Sequence, residues 1–166
     1  MIKSYLNNTS IRNYMPFGYH RRILHVDLTD GSTFQERPGD DFYRKYLGGS
    51  AMGMYYILNG MSPGVDPLGP DNILTLMLSV LTGAPISGQS RLTANAKSPL
   101  VDGIGDSQSG GFFPAELKFA GYDGIVVKGQ SEKPVYLWIK DGVAKLRSAT
   151  HLWGKSTGDV DDILKD

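Results

Sequence analysis

Glycine and proline occur along the whole chain and limit what it can fold into. The 166 residues include 21 glycines and 9 prolines, which stand between short apolar runs. Turn-forming residues at such intervals interrupt long helices and are typical of strands joined by many turns. The length is sufficient for one domain with a sizeable core. The pattern therefore predicts an ordered, strand-rich domain and not a disordered chain.

Two stretches of alternating side chains predict hairpins. Residues 22–28 alternate with a period of two, and Asp30-Gly31 supplies a turn into residues 32–37. Residues 135–139 and 143–147 flank a second Asp-Gly turn in the same way. Each hairpin precedes a helical segment, which hints at an internal duplication, although two such hairpins also arise by chance in one domain.

The rest of the chain alternates between short elements and loops. Apolar or alternating runs predict strands over residues 73–80, 91–96 and 125–128. Helices are predicted over residues 41–47, 51–58 and 114–120, with Asp40 as the cap of the first, and a closing helix is capped by Ser156 or Thr157. Residues 101–111 lack periodicity and are predicted to form a loop. We expect residues 1–16 to form a flexible extension and residues 17–166 a single domain.

Charge and composition exclude several classes of partner. Lys and Arg together number 17, as do Asp and Glu, so no basic excess is available for nucleic acid or for an anionic membrane. The chain has no cysteine, which excludes disulfides and cysteine-ligated iron-sulfur clusters held by this chain itself. The longest apolar stretch, residues 73–81, is too short to span a bilayer. We expect a soluble, cytoplasmic protein.

A segment of small residues before the third helix is the best candidate for a binding site. Residues 106–114 read DSQSGGFFP, and Gly110-Gly111 would let the backbone approach a ligand closely. Free N–H groups at the start of the following helix favour an anion such as phosphate. The alternative is an ordinary connection in which the glycines only permit tight turns. Neither the dinucleotide-binding nor the phosphate-binding glycine motif occurs.

A few charged side chains can be interpreted either as functional residues or as ordinary surface residues. Arg91 lies beside a glycine-bearing loop, where its guanidinium could bind a phosphate, or could simply face solvent. Lys97 has the same two interpretations. His20, His25 and His151 lack a second ligand at metal-binding spacing, so no metal site is predicted. No residue pattern supports a catalytic assignment.

A set of ordered phrases resembles the first domain of the aldehyde ferredoxin oxidoreductase family. The phrases are RILHVDLT at 22–29, YLGG at 46–49, PGVDPLGPDN at 63–72, LTG at 81–83, AKSPL at 96–100, SGGFF at 109–113, ELKFAGYD at 116–123, KPVY at 133–136 and HLWGK at 151–155. They run from about residue 17 to the carboxyl terminus in the family's order and spacing.

This resemblance implies a fold, a cofactor and a set of contacts. The fold is α+β, with two pseudo-twofold-related halves, predominantly antiparallel β-sheets and short helices. The cofactor is a tungsten- or molybdenum-bispterin, which the two sheets support from below. Pterin contacts in the family fall at Arg91, Gln108, Ser109 and Gly110 of this sequence. The implied activity is two-electron oxidation of an aldehyde, with electrons passing through an iron-sulfur cluster to ferredoxin.

The resemblance also implies that this chain alone is not active. The cluster cysteines, the second pterin-binding segment and the substrate channel belong to later domains of the family. We therefore expect the remaining oxidoreductase domains, or a partner subunit that supplies them, to complete the enzyme, with ferredoxin as an indirect partner. Self-association into a homo-oligomer is left open, and neither nucleic acid nor membrane is expected to bind.

Three family phrases are altered here, and they support an alternative function. Where the family has Leu-Gly-Gly-Arg-Gly, this chain has serine and alanine as the last two residues of Leu47–Ala51. Ser79-Val80 replaces the Gly-Pro of the family's Gly-Pro-Leu-Thr-Gly, and Gln108 replaces the asparagine of Asn-Ser-Gly-Gly. The alternative is a non-catalytic scaffold or assembly protein that kept the fold and lost cofactor binding.

Overall fold

The computed structural model describes residues 18–165. The extension predicted over residues 1–16 lies outside this part of the chain. Eight strands and four helices follow one another within it. The strands are β1 (Ile23–Asp27), β2 (Thr33–Glu36), β3 (Leu74–Leu78), β4 (Leu92–Lys97), β5 (Ile104–Ser109), β6 (Gly124–Lys128), β7 (Val135–Lys140) and β8 (Val143–Ser148).

The helices are short and stand between the strands. They are α1 (Asp40–Tyr46), α2 (Gly49–Gly60), α3 (Phe112–Phe119) and α4 (Thr157–Lys165). Both predicted hairpins and all four predicted helices are present. The first helix begins one residue earlier than predicted, because Gly39 and not Asp40 is its cap; Asp40 lies inside its first turn. Between residues 18 and 165, no helix has the length and apolar character needed to cross a bilayer.

The strands form a six-stranded sheet and a separate hairpin. The six-stranded sheet has the order β2-β1-β6-β3-β4-β5, and β7 pairs with β8. Every pairing is antiparallel except that of β1 with β6. The α+β class with predominantly antiparallel sheets and short helices is therefore confirmed.

Strand β5 corrects the sequence analysis, which predicted a loop over residues 101–111. Residues 104–109 pair with β4 along their whole length, from Lys97 opposite Ile104 to Leu92 opposite Ser109. The strand is at the edge of the sheet, and its side chains are almost all exposed. An exposed edge strand needs only backbone pairing, so Gly, Asp, Ser and Gln suffice and no apolar alternation marks it.

Each face of the six-stranded sheet carries its own core. Helices α1 and α2 cover one face with a cluster of buried residues: Tyr19, Ile23, Tyr43, Met52, Tyr56, Ile57, Ile73, Met77 and Val126. The opposite face is covered by α3 and the β7–β8 hairpin, around Leu24, Val26, Leu78, Leu92, Leu117, Tyr122 and Ile125. Because β1, β3 and β6 are apolar on both sides, they form the centre of the molecule.

The turn of the β7–β8 hairpin is attached to the large sheet through one carbonyl group. The Gly142 carbonyl oxygen accepts hydrogen bonds from the Tyr122 hydroxyl at 2.7 Å, the Gln35 amide at 3.2 Å and the Arg22 guanidinium at 3.3 Å. Arg22 also binds the Gln35 side-chain oxygen. This network joins β1, β2 and the residues before β6 to the second hairpin.

A buried ion pair joins the elements at one end of the sheet. Lys118 of α3 and Asp123 are 4 % and 2 % exposed, and their charged atoms are 2.9 Å apart. The Asp123 carboxylate also accepts hydrogen bonds from the backbone N–H groups of His20 and Arg22 and from the Tyr43 hydroxyl. Each oxygen of the Asp123 carboxylate therefore accepts two hydrogen bonds, when that from Lys118 is included. A charge can be buried when it is paired and hydrogen-bonded in this way.

Removal of the Lys118 ammonium should destabilise the fold strongly. Lys118→Met leaves the Asp123 charge buried and uncompensated, so we expect a loss of about 3–5 kcal/mol in the free energy of unfolding. Lys128→Met is the matched control, because Lys128 pairs with Asp27 but is 58 % exposed, and should cost less than about 1 kcal/mol. Urea denaturation followed by circular dichroism measures both. Equal losses in the two variants would contradict this account.

Candidate cofactor-binding site

Strand pairing brings the four predicted contact residues to one place. Gln108 and Ser109 are the last two residues of β5, opposite Thr93 and Leu92 of β4. Arg91 directly precedes β4 and Gly110 directly follows β5, so one further step of the same register puts them opposite each other. The Ser90 hydroxyl closes this junction by donating to the Gly111 carbonyl oxygen at 2.5 Å. All four predicted residues are exposed.

This junction belongs to one end of the six-stranded sheet, which we call the cradle end. Strands β3 and β5 finish there, and β1, β4 and β6 begin there, as the pairs Leu78–Leu92, Leu92–Ser109 and Ile23–Gly124 show. The buried Lys118–Asp123 pair lies at the same end, since Asp123 directly precedes β6. A cavity of about 340 Å³ opens beside it, lined by His20, Thr82, Gly83 and Lys118 among others.

Two helix amino termini also lie at the cradle end. Only two residues separate the end of β5 from the start of helix α3. Helix α2 passes over β4 with Gly49 near Thr93 and Gly53 near Asn95, so its first turn lies toward the start of β4. Neither α2 nor α3 has a side-chain cap or an acidic residue in its first turn, whereas α1 carries Asp40 and Asp41 there. Helix amino termini attract anions, and at α2 the Asp106 carboxylate of β5, which is bonded to Ser50 of the first turn, already supplies a negative charge.

The approach of α2 to the sheet depends on two glycines. Gly48, its N-cap, has φ 137° and ψ −173°, a conformation that is essentially limited to glycine. A Cβ atom at Gly48 would also collide with the Leu78 carbonyl oxygen. At Gly53, a Cβ atom would collide with the side-chain oxygens of Asn95 and Thr75. The first turn of α2 can therefore lie directly on β3 and β4.

A polar cluster beside the predicted contacts was not found from the sequence. The Asp106 carboxylate accepts hydrogen bonds from the Ser50 hydroxyl at 2.5 Å and from the Asn95 amide at 2.8 Å. These two bonds, of which that from Ser50 is the stronger influence, hold the pKa of Asp106 below its ordinary value. Ser50, Asn95 and Asp106 come from three separate elements. The one sequence signal for this cluster is that Asp106 lies two residues before Gln108, a predicted contact residue.

Of the other side chains considered in the sequence, Lys97 and His25 lie away from this site, whereas His20 lines the cavity at the cradle end. Lys97, at the far end of β4, binds the Val65 carbonyl oxygen and pairs with Asp102, so its ammonium stabilises local loops. His25 binds Glu36 under α2. Burial lowers the pKa of His20, although the nearby Asp123 charge opposes this. Within residues 18–165, no group of three or more His, Asp or Glu side chains could hold a metal ion.

Comparison with known proteins identifies the family to which a chain with this fold belongs. The family described as "Aldehyde ferredoxin oxidoreductase, N-terminal domain" matches residues 23–166. The chain therefore belongs to the aldehyde ferredoxin oxidoreductase family, as the resemblance of the ordered phrases implied.

The relatives include proteins described as tungsten-containing enzymes. The chain is 41 % identical over 150 residues to a tungsten-containing aldehyde ferredoxin oxidoreductase of Pyrococcus abyssi, covering 90 % of this chain and 25 % of that protein. It is 43 % identical over 149 residues to the enzyme of the same description from Thermococcus kodakarensis, with the same coverage. The "aliphatic sulfonate oxidoreductase, WOR-like subunit" of Pyrococcus furiosus is 33 % identical over 141 residues, with 83 % and 22 % covered.

A solved structure has the same fold. It is the active site complex BamBC of benzoyl coenzyme A reductase in complex with 1,5-dienoyl-CoA, with a TM-score of 0.86 and 34 % sequence identity. The match covers 90 % of this chain and 23 % of that one. This chain thus spans about a quarter of the length of the relatives it matches.

Substitution of Gly48 should disturb the site through the backbone. In Gly48→Ala the new Cβ atom meets the Leu78 carbonyl oxygen in a backbone conformation that alanine avoids, so we expect a loss of at least about 2 kcal/mol in the free energy of unfolding.

Gly39→Ala is the matched control, because Gly39 is also a helix N-cap but has φ −75° and open space around it. It should cost less than about 1 kcal/mol. Thermal denaturation compares the two variants, and a Gly48→Ala protein as stable as Gly39→Ala would refute the close approach.

Proposed function

We propose that this chain binds and orients the pterin cofactor of a tungsten- or molybdenum-containing oxidoreductase of the aldehyde ferredoxin oxidoreductase type. The observation that carries the proposal is that Arg91 and Gly110 directly adjoin the paired residues Leu92 and Ser109 at the cradle end, beside the uncapped amino terminus of α3. A guanidinium and free backbone N–H groups together suit the phosphate and the carbonyl oxygens of a pterin cofactor.

The donors present at the cradle end fit the organic part of such a cofactor, not the metal. Residues 18–165 supply hydrogen-bond donors there, among them the exposed guanidinium of Arg91, but no cluster of metal ligands. The tungsten or molybdenum would therefore be held by the pterin dithiolenes. When bound, the metal would accept two electrons from an aldehyde, and this chain's residues would keep the cofactor in place and oriented.

The rest of the enzyme would come from further polypeptide. Because this chain spans about a quarter of its relatives, we propose that the remaining oxidoreductase domains or a partner subunit complete the catalytic site. The iron-sulfur cluster would be bound there, since this chain has no cysteine, and ferredoxin would be reduced through that cluster. Cytoplasmic residence and self-association stay predictions.

One observation favours the scaffold function as a second candidate. Phe112 and Phe113, at the start of α3, are 90 % and 55 % exposed beside the predicted cofactor contacts. Apolar side chains exposed together mark surfaces that other proteins cover. A scaffold that had lost its cofactor would use them to dock on a partner while leaving Arg91 without a ligand.

Cofactor content distinguishes the two functions. We expect the chain, purified together with the polypeptide encoded beside it, to contain tungsten or molybdenum and a fluorescent pterin after oxidation. Arg91→Ala and Gly110→Ala should each lower the pterin content about tenfold, because Arg91 supplies a charge-assisted hydrogen bond and Gly110 a close backbone approach. Mass spectrometry for the metal and fluorescence for the pterin measure the content.

Arg37→Ala is the control, because Arg37 is also exposed but follows β2, at the opposite edge of the sheet from β5. It should leave the cofactor content unchanged. An Arg91→Ala complex that retains the full cofactor content, with normal partner activity, would support the scaffold function and contradict cofactor binding here.

A further inference from the structure

Strand β7 has a free edge beside a cavity. In the described part of the chain the second sheet consists of β7 and β8 alone, so each strand is paired on one side only. A two-stranded sheet is marginally stable by itself, and further strands stabilise it. A cavity of about 650 Å³ lies along β7, and its walls include residues 136–140 of that strand, Phe113 and Phe119 of α3, and Leu76 and Val127 of the large sheet.

The sequence of β7 suits pairing with another strand. Residues 135–139 read VYLWI, and the charge of the strand, Lys140, is at the turn. Free edges normally carry charged residues or proline, which discourage a further strand from pairing there. The other free edges among the described strands follow this rule: β2 ends in Glu36, β5 contains Asp106 and β8 contains Lys145. Strand β7 differs from them in being apolar along most of its length.

The register of the hairpin determines which backbone groups of β7 are free. The Ala149 N–H donates to the Pro134 carbonyl oxygen at 2.8 Å, just before the strand begins. Hydrogen-bonded and non-hydrogen-bonded pairs alternate along two antiparallel strands. Residues 136, 138 and 140 therefore bond to β8. The N–H and carbonyl groups that point away from β8 are those of Val135, Leu137 and Ile139.

A strand added at this edge would also bury apolar surface. Leu137 and Ile139 pack on the core of the large sheet. Alternate side chains of a strand paired with β7 would lie on that same face and would enter the cavity. Phe113 and Phe119, which line the cavity, are 55 % and 67 % exposed and would be covered. Backbone hydrogen bonds together with apolar contacts of alternate side chains are the usual basis of binding by strand addition.

The length of the relatives indicates which polypeptide occupies this edge. The chain covers about a quarter of those proteins, and the matched family model is an N-terminal domain, so most of each relative follows the matched part. Leu164, in the last turn of α4, lines the same cavity as β7. Polypeptide that continues from α4 would therefore start beside the free edge.

We propose that the free edge of β7 is a docking site for one strand of the polypeptide that supplies the remaining oxidoreductase domains. The strand extends the β7–β8 sheet and fills the cavity with apolar side chains. This inference rests on the part of the proposed function that assigns those domains to further polypeptide, and it does not depend on cofactor binding. A second copy of this chain, paired through its own β7, is the alternative occupant.

Two proline variants test the edge in the complex of this chain with the polypeptide encoded beside it. Val135 and Ser148 are directly opposite, and their N–H groups point to the two outer edges of the hairpin. Proline removes this donor, and its ring occupies the place of the incoming carbonyl group. Val135→Pro should weaken binding of the polypeptide at least about tenfold, whereas Ser148→Pro should leave it unchanged. Titration calorimetry measures both affinities, and equal affinities would overturn the proposal.

Hydrogen exchange tests the same edge without a substitution. In the wild-type complex, the amides of Leu137 and Ile139 should exchange at least about tenfold more slowly than in the isolated chain, because both become hydrogen-bonded. The control amides are those of Ala144 and Leu146, which point to the outer edge of β8 and should exchange equally in the two samples. Unchanged exchange at Leu137 and Ile139 would overturn the proposal even if Val135→Pro fails to fold.

Sedimentation and cofactor content separate the remaining outcomes. An isolated chain that forms a dimer, which Val135→Pro dissociates, would assign the edge to a second copy and overturn the proposed occupant. A complex with full cofactor content but unprotected β7 amides would overturn this inference alone. A complex with protected β7 amides but no cofactor would support this inference and overturn cofactor binding alone.

Discussion

The buried pair of Lys118 and Asp123 is the constraint on which the rest of the structure depends. Asp123 receives hydrogen bonds from the segment before β1, from α1 and from α3, so three elements converge on one carboxylate. Burial together with the Asp123 charge raises the pKa of the Tyr43 hydroxyl, which stays a donor at all ordinary pH values. The ends of β1 and β6 are thereby held in their parallel register.

The geometry of the cradle end depends on this buried ion pair. The Asp123 carbonyl oxygen accepts the N–H of Leu78, which positions the end of β3, and Leu78 pairs with Leu92 at the start of β4. Leu92 in turn pairs with Ser109. The strand ends next to Arg91 and Gly110 are therefore positioned by a chain of backbone contacts that begins at a buried ion pair. The exposed residues of the predicted site are thus built on a core that excludes water.

Much of this fold could be predicted from local sequence patterns. The two Asp-Gly hairpins, the apolar strands and the helices all have periodicities or turn residues that predict them. Strand β5 was missed because its partner, and not its own composition, makes it a strand. The meeting of Arg91 with Gly110 could be anticipated only through the family resemblance, since the register of β4 with β5 is not visible in either segment alone.

The cluster around Asp106 shows what neither pattern nor resemblance could supply. Ser50 stands where the family phrase has arginine, which reads in the sequence as the loss of a cation. The structure adds that Ser50 binds the carboxylate of Asp106, which Asn95 holds from below. The serine at this position is thus part of a hydrogen-bonded cluster with a carboxylate two residues before Gln108.

Amide chemical-shift mapping of the ¹⁵N-labelled chain tests the central claim most directly, because an anion seated at the cradle end must perturb the N–H groups that face it. On addition of pyrophosphate, the account predicts the largest shifts at Gly110, Gly111 and Phe112, with little change in the β7–β8 hairpin. Shifts concentrated in that hairpin, or a spectrum unchanged at saturating pyrophosphate, would contradict it.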